Sequence, residues 1–315
     1  MVCDQTTHHP TGEQPRLMKI LPHKLATTND QLTSRAGLVA VAQMIEQLQL
    51  AEHIDQHFPL PKSNRGFKPS QYLETLILMQ HGGSFHLEDV RHLHAEEGLR
   101  SVLGLEKLPK ANALGDWLRR MGKKPAAFAA WTAVNRRLLQ VALHKKKQVT
   151  LDIDATEVVA HKSDAQWTYK KNKGYMPMVG HIAETGQVVA CDFRLGNASP
   201  AKGNLEFIRQ CEQGLPDGVR VGWLRIDAAG YQQKVIEHCD QHNIAYAIRA
   251  KLSRAVKAQI EVLKGSDWQP LVYRNGETSK TEQACRIVHW IGDYEVPFTL
   301  VIQRKPIKGQ APLDL

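Results

Sequence analysis

Hydrophobic residues recur at helical spacing through the first half of the chain. From Leu38 the pattern predicts one amphipathic helix to about His53, with Thr33 and Ser34 as candidate caps and with Pro59 and Pro61 beyond it. Glycine and proline bound further helices, which are predicted at 70–80, 87–94, 111–121 and 125–144. We therefore expect a helical domain over residues 31–147, preceded by a flexible tail over residues 1–30.

The pattern changes after Lys145–Lys147, where a β-type run begins. Strands are predicted at 148–159, 176–184, 187–193, 219–226 and 245–248, with helices at 204–213 and 231–242. This β-β-β-α-β-α-β order is that of an RNase H-like fold, in which the first and fourth strands are neighbours. We expect an α+β multi-domain protein whose RNase H-like α/β core covers residues 148–252, followed by strand-like segments within 253–315.

Composition narrows the class of protein. The chain has 315 residues, of which 42% are hydrophobic and 23% are charged, so intrinsic disorder is excluded. It has neither an apolar run of membrane-spanning length nor a signal-peptide pattern, which indicates a cytoplasmic protein without a membrane partner. The five cysteines are odd in number and never form Cys-x-x-Cys, so we expect reduced thiols.

The positive charge is concentrated in the first half. Residues 1–150 hold 20 basic and 13 acidic side chains, whereas residues 151–315 hold 21 and 19. A basic module joined to a nearly neutral one is typical of a protein that binds a polyanion such as nucleic acid. The alternative is a basic protein that is merely soluble.

Two predicted strands carry acids that could hold a metal ion. Asp152 and Asp154 alternate with Leu151 and Ile153, so the two carboxylates share one face of the first strand. Asp227 ends the fourth strand, where open α/β sheets bind their ligands. Asp154 and Asp227 are then neighbours, and their hard oxygen ligands suit Mg²⁺ or Mn²⁺, with chemistry on a phosphodiester. The alternatives are solvated acids on an exposed strand face and, for Asp227, a helix N-cap.

Three segments together resemble DDE transposases of bacterial insertion sequences: Asp152-Ile153-Asp154-Ala155-Thr156, Arg194-Leu195-Gly196-Asn197 and Arg225-Ile226-Asp227-Ala228-Ala229-Gly230-Tyr231. The resemblance is to the branch numbered thirteen-eighty, a relative of the IS-four-like group, and Leu32-Thr33-Ser34-Arg35-Ala36-Gly37 resembles that family's N-terminal opening.

This resemblance implies that Asp154 and Asp227 are catalytic metal ligands, with Asp152, Thr156, Arg194 and Asn197 as supporting residues. Gly196-Asn197 is alternatively only a turn. The family's activity is metal-dependent DNA cleavage and strand transfer at terminal inverted repeats. It also implies Mg²⁺ (or Mn²⁺), a homo-oligomer assembled on double-stranded DNA, and a bacterial, nucleoid-associated location.

The sequence departs from the family in its third acid. The resemblance implies a Glu on a late helix beyond a β-rich insertion, and neither Glu261, Glu277, Glu282 nor Glu295 fits that description. We therefore expect residues 253–315 to be an incomplete insertion, the chain to be C-terminally truncated with the third acid beyond residue 315, and strand transfer to be absent from this chain alone.

Basic and aromatic residues supply candidate DNA contacts. Between the first two strands lie Lys162, Trp167, Tyr169, Lys170, Lys171, Lys173 and Tyr175, in which lysines can neutralise phosphates and aromatic rings can stack on bases. The helical domain adds Arg119, Arg120, Lys123, Lys124, Arg136 and Arg137, which could contact terminal repeats in a helix-turn-helix manner. For both groups the alternative is an ordinary solvated surface.

Two other functions remain open at this point. One is an RNase H-like metal-dependent nuclease that cuts DNA without joining it. The other is a non-catalytic DNA-binding remnant that inhibits the full-length transposase.

Overall fold

The computed structural model of the protein describes residues 19–20, 23–24, 28–61 and 66–305. The chain forms two compact units, unit 1 (Met1–Val134) and unit 2 (Asn135–Leu315). The predicted tail, residues 1–30, falls largely outside the described residues. The proposed domain limits at 147 and 252 stay predictions.

Unit 1 is built from short helices. They are preceded by two antiparallel strands of two residues each, β1 (Lys19–Ile20) and β2 (His23–Lys24). The helices are α1 (Leu38–Gln47), α2 (Leu50–His57), α3 (Pro69–His81), α4 (Val90–Ala95), α5 (Glu97–Val102), α6 (Ala111–Met121) and α7 (Pro125–Ala142), with a 3-10 helix at Leu87–Asp89. Unit 1 ends within α7, whose last residues belong to unit 2.

The helix predicted from Leu38 to about His53 is broken in the structure. Gln49 adopts a left-handed conformation, with φ +50°, between α1 and α2. This conformation cannot continue a right-handed helix, and it turns the chain so that Leu50 and Ile54 are buried. The prediction was therefore wrong at this point, because hydrophobic spacing continues smoothly across the break.

The segment Thr33–Arg35, which carries the family-like opening, is held to the residue between α4 and α5. Thr33 and Ser34 donate hydrogen bonds to the Glu96 carboxylate over 2.5 and 3.0 Å, and Arg35 lies 3.7 Å from it. These contacts, led by the Thr33 hydrogen bond, lower the pKa of Glu96. This segment therefore has a structural use within unit 1.

Unit 2 alternates strands and helices. Its elements are β3 (Gln148–Ala155), β4 (Val158–Val159), β5 (Gln166–Trp167), β6 (Lys173–Tyr175), β7 (Met178–Ile182), β8 (Val188–Asp192), α8 (Asn204–Gly214), β9 (Arg220–Ile226), α9 (Gln233–Gln241), β10 (Ala245–Ile248), α10 (Arg254–Glu261), β11 (Gln269–Val272), β12 (Thr278–His289) and β13 (Phe298–Arg304). Two 3-10 helices lie at Ala228–Gly230 and Gly265–Asp267.

The main sheet of unit 2 has five strands in the order β10-β9-β3-β7-β8. β3, β7 and β8 are antiparallel neighbours, whereas β9 and β10 run parallel to β3 and to each other. This is the strand order predicted for an RNase H-like core, and the predicted neighbours β3 and β9 do pair. Unit 2 is therefore an α+β unit with a mixed sheet.

One face of this sheet forms the hydrophobic core of unit 2. Leu151, Ile153, Leu224 and Ile226 point into it and meet side chains of α8 and α9. A bulge at Gly222 shifts the register, so that Thr150 lies opposite Trp223. Beyond the bulge Trp223 and Arg225 of β9, and Asp227 just after it, point to the other face, where all three are exposed.

Unit 2 also contains two smaller, three-stranded sheets. β4, β6 and β5 form a three-stranded sheet, of which only β4 falls within a predicted strand, because runs of two or three residues carry no readable alternation. β11, β12 and β13 form an antiparallel sheet within 269–304, where strands were predicted.

None of the described helices is long and apolar enough to span a membrane. The four cysteines within the described residues, Cys191, Cys211, Cys239 and Cys285, carry free thiols, as predicted. Burial raises the pKa of Cys211 and Cys239 to about 12, so these two side chains act as small core residues.

Leu224 tests the packing of the sheet against its helices. Leu224→Ala should lower the free energy of unfolding by about 2–5 kcal/mol, because the side chain is 1% exposed and its removal leaves a cavity. Leu252→Ala, at a side chain that is 69% exposed, is the control and should change stability by less than about 0.5 kcal/mol. Equal effects in urea denaturation would contradict this packing.

Candidate metal and DNA site

The register of β3 against β9 brings Asp154 and Asp227 together. Ile153 pairs with Ile226 in parallel, and the two acids are the next residue of each strand. Adjacent strands are separated by about 4.8 Å, so the acids start from neighbouring backbone positions at the carboxyl ends of the strands. Both side chains are exposed. We call Asp154 and Asp227 the acid pair.

The two members of the acid pair differ in their hydrogen bonds. One carboxylate oxygen of Asp227, Oδ1, accepts the Ala229 N–H over 2.8 Å and so caps the 3-10 helix Ala228–Gly230. The capping role considered from the sequence is therefore present, and it occupies one oxygen only. The Asp154 carboxylate has no hydrogen bond or ion pair to any residue in the described part of the chain.

Asp152 lies two residues before Asp154 on the same face, and its charge is already paired. The Arg225 guanidinium donates two hydrogen bonds to the Asp152 carboxylate, and His181 Nε2 lies 3.5 Å from it. The Asp152 hydrogen bond raises the pKa of Arg225. Asp152 therefore joins β3, β7 and β9 directly below the acid pair, where its charge is matched by Arg225.

Thr156 lies just beyond the acid pair, and the structure fixes it through its backbone. Its N–H donates to the Pro177 carbonyl over 2.9 Å, and its side chain is exposed. The described residues offer the Thr156 hydroxyl no hydrogen bond.

Residues 160–175, which follow β4 and end with β6, form what we call the lysine-rich hairpin. Glu157 clamps its tip, because the carboxylate accepts hydrogen bonds from Thr168 and, over 3.1 Å, from Asn172. The Tyr175 hydroxyl donates to Asp164 over 2.6 Å. These hydrogen bonds lower the pKa of both carboxyls, led by Thr168 for Glu157 and by Tyr175 for Asp164. The hairpin is therefore held in one conformation by its own side chains.

The hairpin presents most of its candidate DNA contacts to solvent. Trp167 and Tyr169 are 66% and 62% exposed. Three lysines, Lys162, Lys170 and Lys171, are also exposed, and Lys173 is half-buried. Tyr175 is buried at 6%, packed against Phe193, so its ring offers no surface for stacking.

The Arg194–Asn197 segment packs against the hairpin, and Gly196 is the point of closest approach. A Cβ at this position would lie 2.2 Å from the Gln166 carbonyl oxygen and 2.5 Å from that of Gly174. Arg194 is engaged with Asp192 over 2.6 Å and with the Lys202 carbonyl over 2.7 Å, whereas Asn197 is exposed. Of the two predicted supporting residues here, only Asn197 is open to a ligand.

The basic residues predicted on the helices likewise divide into exposed side chains and side chains that are half-buried or already bind another residue. On α6 and just after it, Arg120, Lys123 and Lys124 are exposed, and Arg119 pairs with Asp116 over 2.7 Å. In unit 2, Arg136 donates to the Gln213 carbonyl and Arg137 is half-buried.

A third ligand does not join the acid pair among the described residues. No group of three or more His, Cys, Asp or Glu side chains in this part of the chain is arranged to hold a metal ion. Among the glutamates considered from the sequence, Glu282 accepts hydrogen bonds from Tyr273 and Gln303 within the β11–β13 sheet. Glu277 binds the Asn275 side chain.

Comparison with known families identifies the class of protein. The family described as "Transposase DDE domain group 1" matches residues 21–290. The chain therefore belongs to this family of DDE transposases. The comparison with curated proteins gave no match.

Three solved structures illustrate what the chain is similar to. The HTLV-2 integrase catalytic core domain in complex with magnesium is 17% identical, with 36% of this chain and 65% of that chain covered and a TM-score of 0.23. The simian T-cell lymphotropic virus intasome in complex with PP2A regulatory subunit B56 gamma is 15% identical, with 36% and 38% covered and a TM-score of 0.22. The piggyBac transposase synaptic complex with hairpin DNA is 9% identical, with 78% and 57% covered and a TM-score of 0.41.

The chain thus spans between 38% and 65% of the length of these three proteins. Their TM-scores are too low to support an argument, so membership rests on the family match.

Sequence reasoning missed the partners that surround the acids. Arg225 and His181 meet Asp152 from both neighbouring strands, and Asn204 binds the turn that follows Asp227. For Arg225 a signal existed, because its position two residues before Asp227 places both side chains on one face of β9. Asn204 gave no such signal.

Gly196 tests whether the hairpin depends on this close approach. Gly196→Ala should lower the free energy of unfolding by about 1–3 kcal/mol and shift the fluorescence of Trp167, because the new Cβ meets two backbone oxygens. Gly265→Ala is the matched control, since a Cβ there meets nothing within 4 Å. If the two variants are equally stable, the close approach does not exist.

Proposed function

We propose that the chain is the transposase of a bacterial insertion sequence of the IS-four-like group, in the branch numbered thirteen-eighty. Asp154 and Asp227 are the first and second catalytic acids of that transposase, and they hold Mg²⁺ or Mn²⁺ for cleavage and strand transfer at terminal inverted repeats. Because no third acid is assigned in the described part of it, this chain by itself is proposed to lack strand transfer. The observation that carries this proposal is the adjacency of the acid pair at the carboxyl ends of β3 and β9. The protein acts as a homo-oligomer on DNA in the bacterial cytoplasm.

The residues present fit one divalent cation of this kind. Mg²⁺ is bound in proteins by one or two carboxylates together with waters and substrate phosphates. Asp227 keeps one oxygen free of its turn, Asp154 is exposed, and Asp152 is matched by Arg225. When bound, the cation would polarise a phosphate and lower the pKa of the attacking water or 3′-hydroxyl. The third carboxylate of the family is not assigned among the described residues.

The protein's own part is to hold and orient these groups. Two carboxylates side by side repel each other, and this repulsion is relieved by a cation between them. The Asp152–Arg225 pair joins the strands beneath them, while the lysine-rich hairpin begins six residues after Asp154. Its exposed lysines offer charge to phosphates, and Trp167 and Tyr169 offer faces for bases.

Manganese binding tests the acid pair. In the purified chain, Asp154→Asn and Asp227→Asn should each weaken Mn²⁺ binding roughly tenfold or more, measured by electron paramagnetic resonance of free Mn²⁺, because each removes a ligand. Asp217→Asn, an exposed acid on another loop, should bind as the unaltered chain does. Binding that survives both substitutions would contradict the assignment.

A second experiment, in cells, distinguishes a transposase from a remnant that only binds DNA. A plasmid carrying the gene with its own flanking DNA should yield an excision joint in cells, detectable by amplification across the donor site. Either acid substitution should abolish that joint, and Asp217→Asn should preserve it. If the unaltered gene yields no excision joint, the remnant is favoured. If the donor DNA is cut but is never joined to target DNA, the nuclease is favoured.

The lysine-rich hairpin is proposed to contact DNA. Replacing Lys170 and Lys171 by glutamine should make the negative slope of log DNA affinity against log salt shallower by roughly 1.8, as two lost phosphate contacts require. Lys234→Gln, an exposed lysine on α9, is the control. A slope that the double replacement leaves unchanged would remove the hairpin from the DNA interface.

A further inference from the structure

The turn after β9 fixes one oxygen of the Asp227 carboxylate through a single peptide group. Ala229 N–H donates to Asp227 Oδ1 over 2.8 Å, and Gly230 N–H donates to the Asp227 carbonyl over 3.0 Å. The side chain of Asp227 is therefore tied to the backbone of its own turn, and the position of the Ala229 N–H sets its direction.

Gly230 anchors the far end of this turn to β9. A Cβ at this position would lie 2.4 Å from Ile226 Cγ2, so the turn lies directly against the last residue of the strand. Ile226 is itself buried and paired with Ile153 of β3. The turn is thus packed onto the strand pair that carries both acids.

Two side-chain amides bind the carbonyl of the same residue, Ala229, which belongs to the next peptide group. Asn204 Nδ2 and Gln232 Nε2 donate to the Ala229 carbonyl oxygen over 2.8 and 2.7 Å. Gln232 Nε2 also donates to the Ala201 carbonyl over 2.7 Å. Ala229 therefore donates its N–H to the Asp227 carboxylate and accepts two amide donors at its C=O, so both peptide groups that flank its Cα are held by side chains.

The Asn204 side chain does not cap its helix. Asn204 is the first residue of α8, but Gly203 is the N-cap and no side chain caps the helix. Asn204 is 1% exposed, and its Oδ1 is buried without a hydrogen-bond partner among the described residues. Burying an amide with half of its polar groups unsatisfied costs free energy, so the bond to Ala229 is what this residue supplies.

We propose that Asn204 and Gln232 are positioning residues for the metal-binding carboxylate of Asp227. By holding the Ala229 carbonyl, they fix the backbone of the turn that presents the Ala229 N–H to Oδ1 of Asp227, and they leave Oδ2 as the oxygen that ligates the cation. They touch neither metal nor DNA themselves. This inference rests on the proposed function, because it assigns how one member of the acid pair is oriented.

The test compares two substitutions, each of which removes a side-chain amide that donates to backbone carbonyls. Asn204→Leu keeps the side-chain size and removes the donor to Ala229. Asn135→Leu is its control, because Asn135 Nδ2 donates over 2.9 and 3.1 Å to the Val188 and Val189 carbonyls, which belong to β8 and not to the acid turn. Mn²⁺ affinity of the purified chain is the readout, with stability in urea measured for each variant.

We expect Asn204→Leu to weaken Mn²⁺ binding by about tenfold, the effect typical of losing a group that orients a metal ligand. Asn135→Leu should lower stability and leave Mn²⁺ affinity unchanged. Equal Mn²⁺ affinity in both variants would overturn the inference. If Asn204→Leu does not fold, Gln232→Met decides, since it removes the second donor to the same carbonyl and the same loss is expected.

The outcome is separable from the fate of the proposed function. If Asp227→Asn leaves Mn²⁺ binding unchanged, the acid pair is not a metal site and the proposed function fails. If Asp227→Asn weakens binding while Asn204→Leu and Gln232→Met do not, the metal site stands and the positioning role fails.

Discussion

The parallel pairing of β3 with β9 is the constraint on which the rest of the candidate site depends. Two buried isoleucines, Ile153 and Ile226, lie side by side in this pairing and pack into the core of unit 2. Because side chains alternate, burying them sends the next residue of each strand, Asp154 and Asp227, to the opposite face. A slip of one residue in either strand would turn the acid of that strand toward the core, so the hydrophobic core fixes where the carboxylates lie.

The same face carries its charges in an order that suits a cation site. Asp152 and Arg225, each two residues before a member of the acid pair, form an ion pair with each other, and His181 approaches Asp152 from β7. The acid pair itself is left without a matching cation among the described residues, which is an unfavourable arrangement until an ion arrives. The turn after β9 limits the freedom of Asp227, since its carboxylate accepts the Ala229 N–H and the Ala229 carbonyl is held by Asn204 and Gln232. The proposed cation would therefore meet a carboxylate whose rotation is already restricted, which reduces the entropy lost on binding.

Local pattern predicts much of this architecture and little of its side-chain bonding. Proline and glycine mark α3, which begins at Pro69 and is followed by Gly82, and alternation marks β3 and β9, so the strand order and the adjacency of the acids follow from sequence. The break at Gln49 leaves the hydrophobic spacing intact, and β5 and β6 are too short to show alternation. Asp152 and Arg225 are 73 residues apart, and Asn204 and Ala229 are 25 apart, so those partners emerge only when the sheet assembles.

Anomalous scattering from a crystal of the full chain grown with Mn²⁺ tests the central claim most directly. The account predicts a manganese peak bound by one oxygen of Asp154 and by Oδ2 of Asp227, with Oδ1 of Asp227 still accepting the Ala229 N–H. A crystal that has taken up Mn²⁺ but shows no peak at the acid pair would contradict it. So would a manganese ion bound through Oδ1 with the Ala229 bond broken.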